Sequence, residues 1–279
     1  MCLPILVRNH STHSGCRMFP SSLSNKASLS VQRVQRFRDL TLIFSADAQV
    51  WVVACDGVGG IGQQPADAVA AHPTLVGHFA LRVPLMEVLA AGAWPVAVTN
   101  TLTSPRGDYS AAIVAALRDL GAQVGLTNPE AFNGSTEDNV PTVQTGVGVT
   151  VLAVATRADL ALGSAHSGQQ LGLVGLPKSA PKHTIILDDP EMVSLPELLA
   201  LRQLPGVSDI VPVGSRGIYA EVEDLAASAG LGFEVSGPRG DWTDSGGPSS
   251  CAVFACDSSA VAAVGQILHA PLAWLGTLR

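Results

Sequence analysis

Charge is scarce in this sequence. Asp, Glu, Lys and Arg make up 14% of its 279 residues, where soluble domains usually carry about 25%. Few carboxylates are therefore spare surface charge, and each one is informative. Basic residues are the rarer sign, 16 against 23, for a net charge of −7. No basic run is interleaved with aromatics, so the phosphate-tracking groove of a nucleic-acid binder is missing and no nucleic-acid partner is expected. Long hydrophobic runs are missing too. None reaches the roughly 18 residues of a membrane span, and the opening apolar stub is too short for a signal-peptide core. Five cysteines, at positions 2, 16, 55, 251 and 256, are odd in number and lack CxxC spacing. They offer no disulfide framework and read as buried or incidental thiols of a reducing compartment. A cytoplasmic protein without membrane contact is expected.

Hydrophobic residues, by contrast, reach 47%, enough for one large domain or two ordinary ones. Residues 1–36 are rich in Ser, Asn, His and Arg without periodicity, and are expected to be a disordered extension, with Met18 as a second candidate start. His10, His13 and Cys16 fall there, without a fourth ligand at useful spacing. From residue 37 the pattern is β-β-loop-α-β-α-β, an α/β unit ending near residue 156. Pro84 falls within its first helical stretch and marks a kink or a helix start, and Gly92 stands where a C-cap glycine belongs. A second α/β unit covers 157–279.

The chemistry concentrates in WVVACDGVGGIG, residues 51–62, where a nearly apolar strand runs into Asp56 and then four glycines in six residues. Two readings stand. The stretch is a tight turn with Asp56 accepting local N–H groups, or it admits a phosphate and its Mg²⁺ close to the backbone at Gly57, Gly59 and Gly60. Glu87 lies in an otherwise apolar helical segment, either on a partly exposed face or held by a ligand. Asp39 pairs with a neighbouring arginine or joins the same site. Asn133, Gly134, Ser135, Thr136 and Glu137 form a polar loop suited to capping or to phosphate contact. No serine or histidine stands in a nucleophilic arrangement, and Cys55 reads as a buried strand residue.

These residues resemble a known superfamily. VACDGVGGIG is similar to the aspartate–glycine loop of aminoimidazole ribonucleotide synthetase and thiamine-monophosphate kinase, and LRVPLMEVLAAGAWP resembles the segment in which an acid precedes an Ala-Gly-Ala turn. Gln169 departs from the usual Gly-Asp, and Glu87 replaces an aspartate. With RDLTLI and NGSTEDNVPTVQTGVGVTV, the chain resembles most the alpha-ribazole kinase branch. The resemblance implies a two-domain α/β fold, with a mixed amino-terminal sheet bearing helices and a carboxyl-terminal α/β sandwich. It implies ATP and Mg²⁺ as cofactors, transfer of phosphate to the 5′-hydroxyl of alpha-ribazole in cobalamin lower-ligand salvage, and a homodimer joined through amino-terminal domains. By position Asp39, Asp56, Glu87 and Glu137 would hold the metal, with Asp56 and Glu137 catalytic and residues 133–136 on the phosphates. Asp209, Ser215, Arg216 and the Ser245–Ser250 loop are the acceptor-site candidates in the cleft between domains. Other ATP-using enzymes of the superfamily, or a nucleotide-binding maturation factor, are the alternatives.

Overall fold

The computed structural model describes residues 31–46, 48–236 and 242–279. The expected histidine–cysteine group and most of the amino extension lie outside them. The extension ends earlier than expected, because Val31–Phe37 form strand β1, antiparallel to β2 (Leu40–Ser45), which pairs with β3 (Gln49–Gly59). A short parallel pair follows, β4 (Ile61–Gly62) with β5 (Val69–Ala70). Next come helix α1 (Pro73–Ala90), β6 (Trp94–Leu102), α2 (Asp108–Gln123), β7 (Phe132–Thr136) and β8 (Gly146–Thr156). The first sheet runs β1-β2-β3-β8-β6-β7, antiparallel except for the parallel β6–β7 pair.

The second half holds β9 (Gln170–Val174), α3 (Leu195–Gln203), β10 (Val207–Pro212), α4 (Gly217–Ser228), β11 (Phe233–Val235), β12 (Ala252–Cys256), α5 (Val261–Ile267) and β13 (Leu272–Leu278). Its sheet is antiparallel in the order β10-β12-β9-β13-β11. Helix α4 closes one face over Leu171, Val211 and Val253. The other face carries Phe254 and Ile210 into a core shared with the first half.

Helix α1 makes that sharing possible. It packs on β3, β8 and α2 within the first half, and on α3 and β10 of the second. Leu81, Leu85, Met86 and Leu89 are almost wholly buried as a result, which is why the helix is apolar around nearly its whole circumference rather than along one stripe. Its start is set by His72, whose Nδ1 accepts the Thr74 N–H, and by Pro73 in the first turn. Pro84 neither begins the helix nor ends it. It is a buried interior residue, and packing on every side outweighs its missing N–H. Gly92 takes φ 80° just past the helix, as its position suggested. Arg82 ties the same helix to the second half by donating to the carbonyls of Val193, Pro248 and Ser249.

Candidate active site

The glycine stretch is not a loop. β3 continues through it to Gly59, paired with β8 as Asp56↔Val149, Gly57↔Gly148 and Gly59↔Gly146. Glycine marks a turn in sequence, but here it thins a strand. Side chains alternate across a sheet, so Asp56 and Gly57 face opposite ways. Asp56 continues the series Val50, Val52 and Ala54 on the helix-covered face. Gly57, Gly148, Thr101 and Ser135 form a row on the other face, where they line a cavity of about 690 Å³ with Thr136 and Glu137. Among the described residues nothing requires glycine at 57 or 59. A Cβ at Gly57 meets nothing nearer than the Val147 carbonyl at 3.9 Å, and one at Gly59 meets nothing within 4 Å. Gly60 does turn the chain, at φ 69°, and its N–H is bonded to the Thr145 carbonyl. That N–H is therefore not a phosphate donor.

β2 pairs with β3 only as far as Thr41↔Val53. Beyond that point the β2-facing edge of β3 has no strand partner among the described residues, and the β1–β2 turn brings Asp39 beside it. An acidic centre gathers there. Burial, and then the Asp39 charge, raise the Asp56 carboxyl above its usual range, against a Gly57 backbone hydrogen bond that lowers it. Burial pushes Glu87 up to about 8, with Asp39, Glu221 and Asp56 adding to the rise and Arg38 opposing it. Glu87 is half-buried by its accessible surface, and its backbone carbonyl accepts the Ala91 N–H at the end of α1. Glu221, on α4, is likewise raised by burial, with Arg216 lowering it and Asp224 and Asp39 raising it. Asp39 thus raises Asp56, Glu87 and Glu221, which come from β3, α1 and α4.

Glu221 escaped the sequence reading because AEVEDL looks like an ordinary charged helix face. The signal was present nonetheless. Ile218, Val222 and Leu225 mark the buried stripe of α4, and Glu221 lies within it. Other expected residues fall elsewhere. Glu137 does not join the centre, because its carboxylate accepts from the N–H groups of Asn139 and Val140 and caps its own loop. Asn133–Thr136 lie in strand β7 rather than in a loop. Asn133 Oδ1 accepts the Gly134 N–H, and a Cβ on Gly134 would stand 2.6 Å from Asn100 Oδ1, too close for any side chain there. Ser135 faces the cavity, whereas Thr136 Oγ1 donates to Asp138.

Asp209 is no acceptor ligand. It is fully buried and bonded to both terminal nitrogens of Arg38. Ser215 is exposed at the start of α4, and Arg216 beside it pairs with Asp224 and Glu221. In the Ser245–Ser250 loop, Ser250 Oγ accepts from Lys178 N–H and donates to Leu176, and Ser245 Oγ accepts from Gly247. Gln169, the departure noted in sequence, braces the start of β9 by bonding Ser208, Asp257 and the His166 N–H. Cys55 is exposed rather than buried, on the open face of the first sheet.

The arrangement suits a hard cation in its chemistry: oxygen donors only, and like charges that a cation would relieve. Among the described residues no three acidic, histidine or cysteine side chains lie close enough to enclose a metal by themselves. The expected Asp39, Asp56, Glu87 and Glu137 set is therefore not a closed ligand sphere. Mg²⁺ commonly takes only one or two protein carboxylates and completes its shell with phosphate and water.

The chain has the two-domain fold of the aminoimidazole ribonucleotide synthetase and thiamine-monophosphate kinase proteins. Thiamine-monophosphate kinase from Stenotrophomonas maltophilia superposes at TM-score 0.59 and 16% identity, over 92% of this chain and 91% of that one. The Aquifex aeolicus enzyme superposes at 0.63 and 12% identity, over 88% and 90%. The hydrogenase maturation protein HypE from E. coli does so at 0.61 and 16%, over 81% and 79%. No protein-family model and no curated protein matches the chain. Among the described residues no helix is long and apolar enough to cross a membrane.

Proposed function

We propose that this protein is an ATP- and Mg²⁺-dependent kinase that phosphorylates the 5′-hydroxyl of alpha-ribazole. The observation that supports the nucleotide reading is the edge of β3 beyond Val53, where the glycines leave room for a ligand and where Asp56 and Glu87 are raised by burial and by Asp39. ATP use is further supported by the fold, since a solved thiamine-monophosphate kinase complex at TM-score 0.60 holds AMPPCP and TMP. The choice of alpha-ribazole rests on the motif resemblance, RDLTLI and NGSTEDN above all.

Phosphoryl transfer requires in-line positioning and neutralised charge more than covalent chemistry. Asp39, Asp56 and Glu87 would hold Mg²⁺, which supplies charge neutralisation at the phosphates. Glu221 faces them from the second half. The edge of β3 at Gly57 and Gly59 lets the triphosphate approach the backbone, and the Ser135 hydroxyl lies on the cavity side. Ser215 and Arg216 border the centre from α4, where the acceptor hydroxyl would enter. A homodimer belongs to the same proposal. The uncovered face of the first sheet exposes Trp51, Trp94 and Val34, a surface suited to pairing with its copy. A cytoplasmic location completes the reading.

The test is acceptor-dependent ADP formation with Mg·ATP, using alpha-ribazole and thiamine monophosphate in parallel, on protein whose mass is read by light scattering. Phosphorylated ribazole from a dimer is expected. ADP with thiamine monophosphate alone would move the activity to that branch, and Mg·ATP hydrolysis indifferent to either acceptor would favour a maturation-type protein. A monomer would remove the dimer.

The glycine cradle yields a separate expectation. Gly57→Ala adds a methyl group where the chain leaves room, so melting should be unchanged or rise by about 0.5 kcal/mol in stability. Mg·ATP affinity should nevertheless fall about tenfold, the effect of one crowded contact worth about 1.4 kcal/mol. Unaltered affinity by calorimetry would place the triphosphate elsewhere.

A further inference from the structure

We infer that the Arg38–Asp209 ion pair is a positioning device through which the second half of the chain holds Asp39 in the acidic centre. The inference rests on the reading of that centre as the Mg·nucleotide site. Asp39 stands next to the edge of β3 that leads to Asp56, because β2 pairs with β3 up to Thr41↔Val53 and Asp39 lies two residues before Thr41. It sits in the two-residue turn between β1 and β2, so its direction is set by the residue beside it, Arg38. Arg38 takes φ 50°, a conformation for which glycine or asparagine is the usual choice.

A strained arginine needs a reason, and its side chain provides one. Nη1 and Nη2 reach the Asp209 oxygens at 3.1 and 2.5 Å, and Nη2 also reaches Ser228 Oγ at 2.5 Å. Asp209 is itself fixed, fully buried and accepting the Gly163 N–H at 3.0 Å. On its other side Arg38 accepts Arg36 Nε at its carbonyl, 3.1 Å away, and its guanidinium lies 5.1 Å from the Phe37 ring centroid. Every partner of the Arg38 guanidinium beyond Phe37 belongs to the second half. A two-pronged fork of this kind fixes orientation as well as charge. A change in how the halves meet would therefore be felt at Asp39 first.

Two variants test this. Asp209→Asn keeps shape but replaces one of the two accepting oxygens with a donor, and Arg38→Lys keeps charge but loses the fork. Each is made in the wild-type and in the Asp39→Asn background. Mg²⁺ is titrated while binding of AMPPCP is followed by calorimetry, and melting is recorded without metal. The Mg²⁺ concentration at half effect should rise about tenfold in the wild-type background and shift less than twofold when Asp39 is already neutral. Melting temperature should fall equally in both. Equal Mg²⁺ shifts in the two backgrounds, or none in either, would overturn the inference while leaving the nucleotide site standing. If one variant does not fold, the other decides. Wild-type protein that binds AMPPCP without regard to Mg²⁺ would overturn both readings.

Discussion

Asp56→Asn is expected to lower turnover by about a thousandfold while leaving the melting temperature of the metal-free protein unchanged or slightly raised. The two halves of this result have one cause. Burial and the Asp39 charge already raise the Asp56 carboxyl, so its negative charge is a burden on the fold and removing it relieves the neighbours. In the proposed reaction the same charge holds a cation against the phosphates. Losing such a ligand removes several kcal/mol of transition-state stabilisation, and each 1.36 kcal/mol is a tenfold change in rate. Asparagine keeps the shape and an acceptor for the Gly57 backbone hydrogen bond, so lost activity would not be lost structure. Turnover measured at saturating acceptor across a Mg²⁺ series separates the effects. A variant within tenfold of wild type at every Mg²⁺ concentration would exclude Asp56 from the centre.

The sequence showed its elements more readily than its pairings. α2 was legible because its apolar residues repeat at the period of a helix. Glycine misled twice, in DGVGG and in NGST, because it signals a turn locally and thins a strand when a partner strand or a ligand approaches. Only the register with β8 and β6 distinguishes these cases. Asp209 was misread for a similar reason. Its partner lies 171 residues away, and no local pattern reveals that a lone aspartate is already paired. Asp39, Asp56 and Glu87 were singled out because charge is so rare in this chain that a carboxylate on an apolar element stands out. The structure then added what scarcity alone could not show, a fourth carboxylate from the other half and an arginine that aligns the first.

Glu87→Gln should reverse its effect between the metal-free and the loaded protein. The carboxyl is pushed up to about 8 from an ordinary 4.5 by burial and by neighbouring acids. Because the shift is upward, the folded chain holds this proton more tightly than the unfolded one. Its contribution to stability is complete below about pH 4.5, declines as pH rises, and is gone above about 8. Glutamine stays neutral throughout. In chelator the variant should therefore match wild type near pH 4.5 and exceed it at pH 9 by about 5 kcal/mol, a melting difference on the order of 10 °C. The order should invert when Mg·AMPPCP is added. A ligand that binds only the folded state stabilises in proportion to its affinity, and the neutral side chain cannot offer the anionic oxygen that Mg²⁺ prefers. Thermal melts at pH 4.5, 7 and 9, with chelator and with Mg·AMPPCP, check both halves. If glutamine lowers the metal-free melting point at pH 9, Glu87 is held by a partner that stabilises its charge, and the acidic centre does not await a cation. If it raises that melting point and leaves the Mg·AMPPCP increment intact, the carboxylate is costly to the fold for some reason other than metal, and Asp39 and Asp56 hold the ion without it.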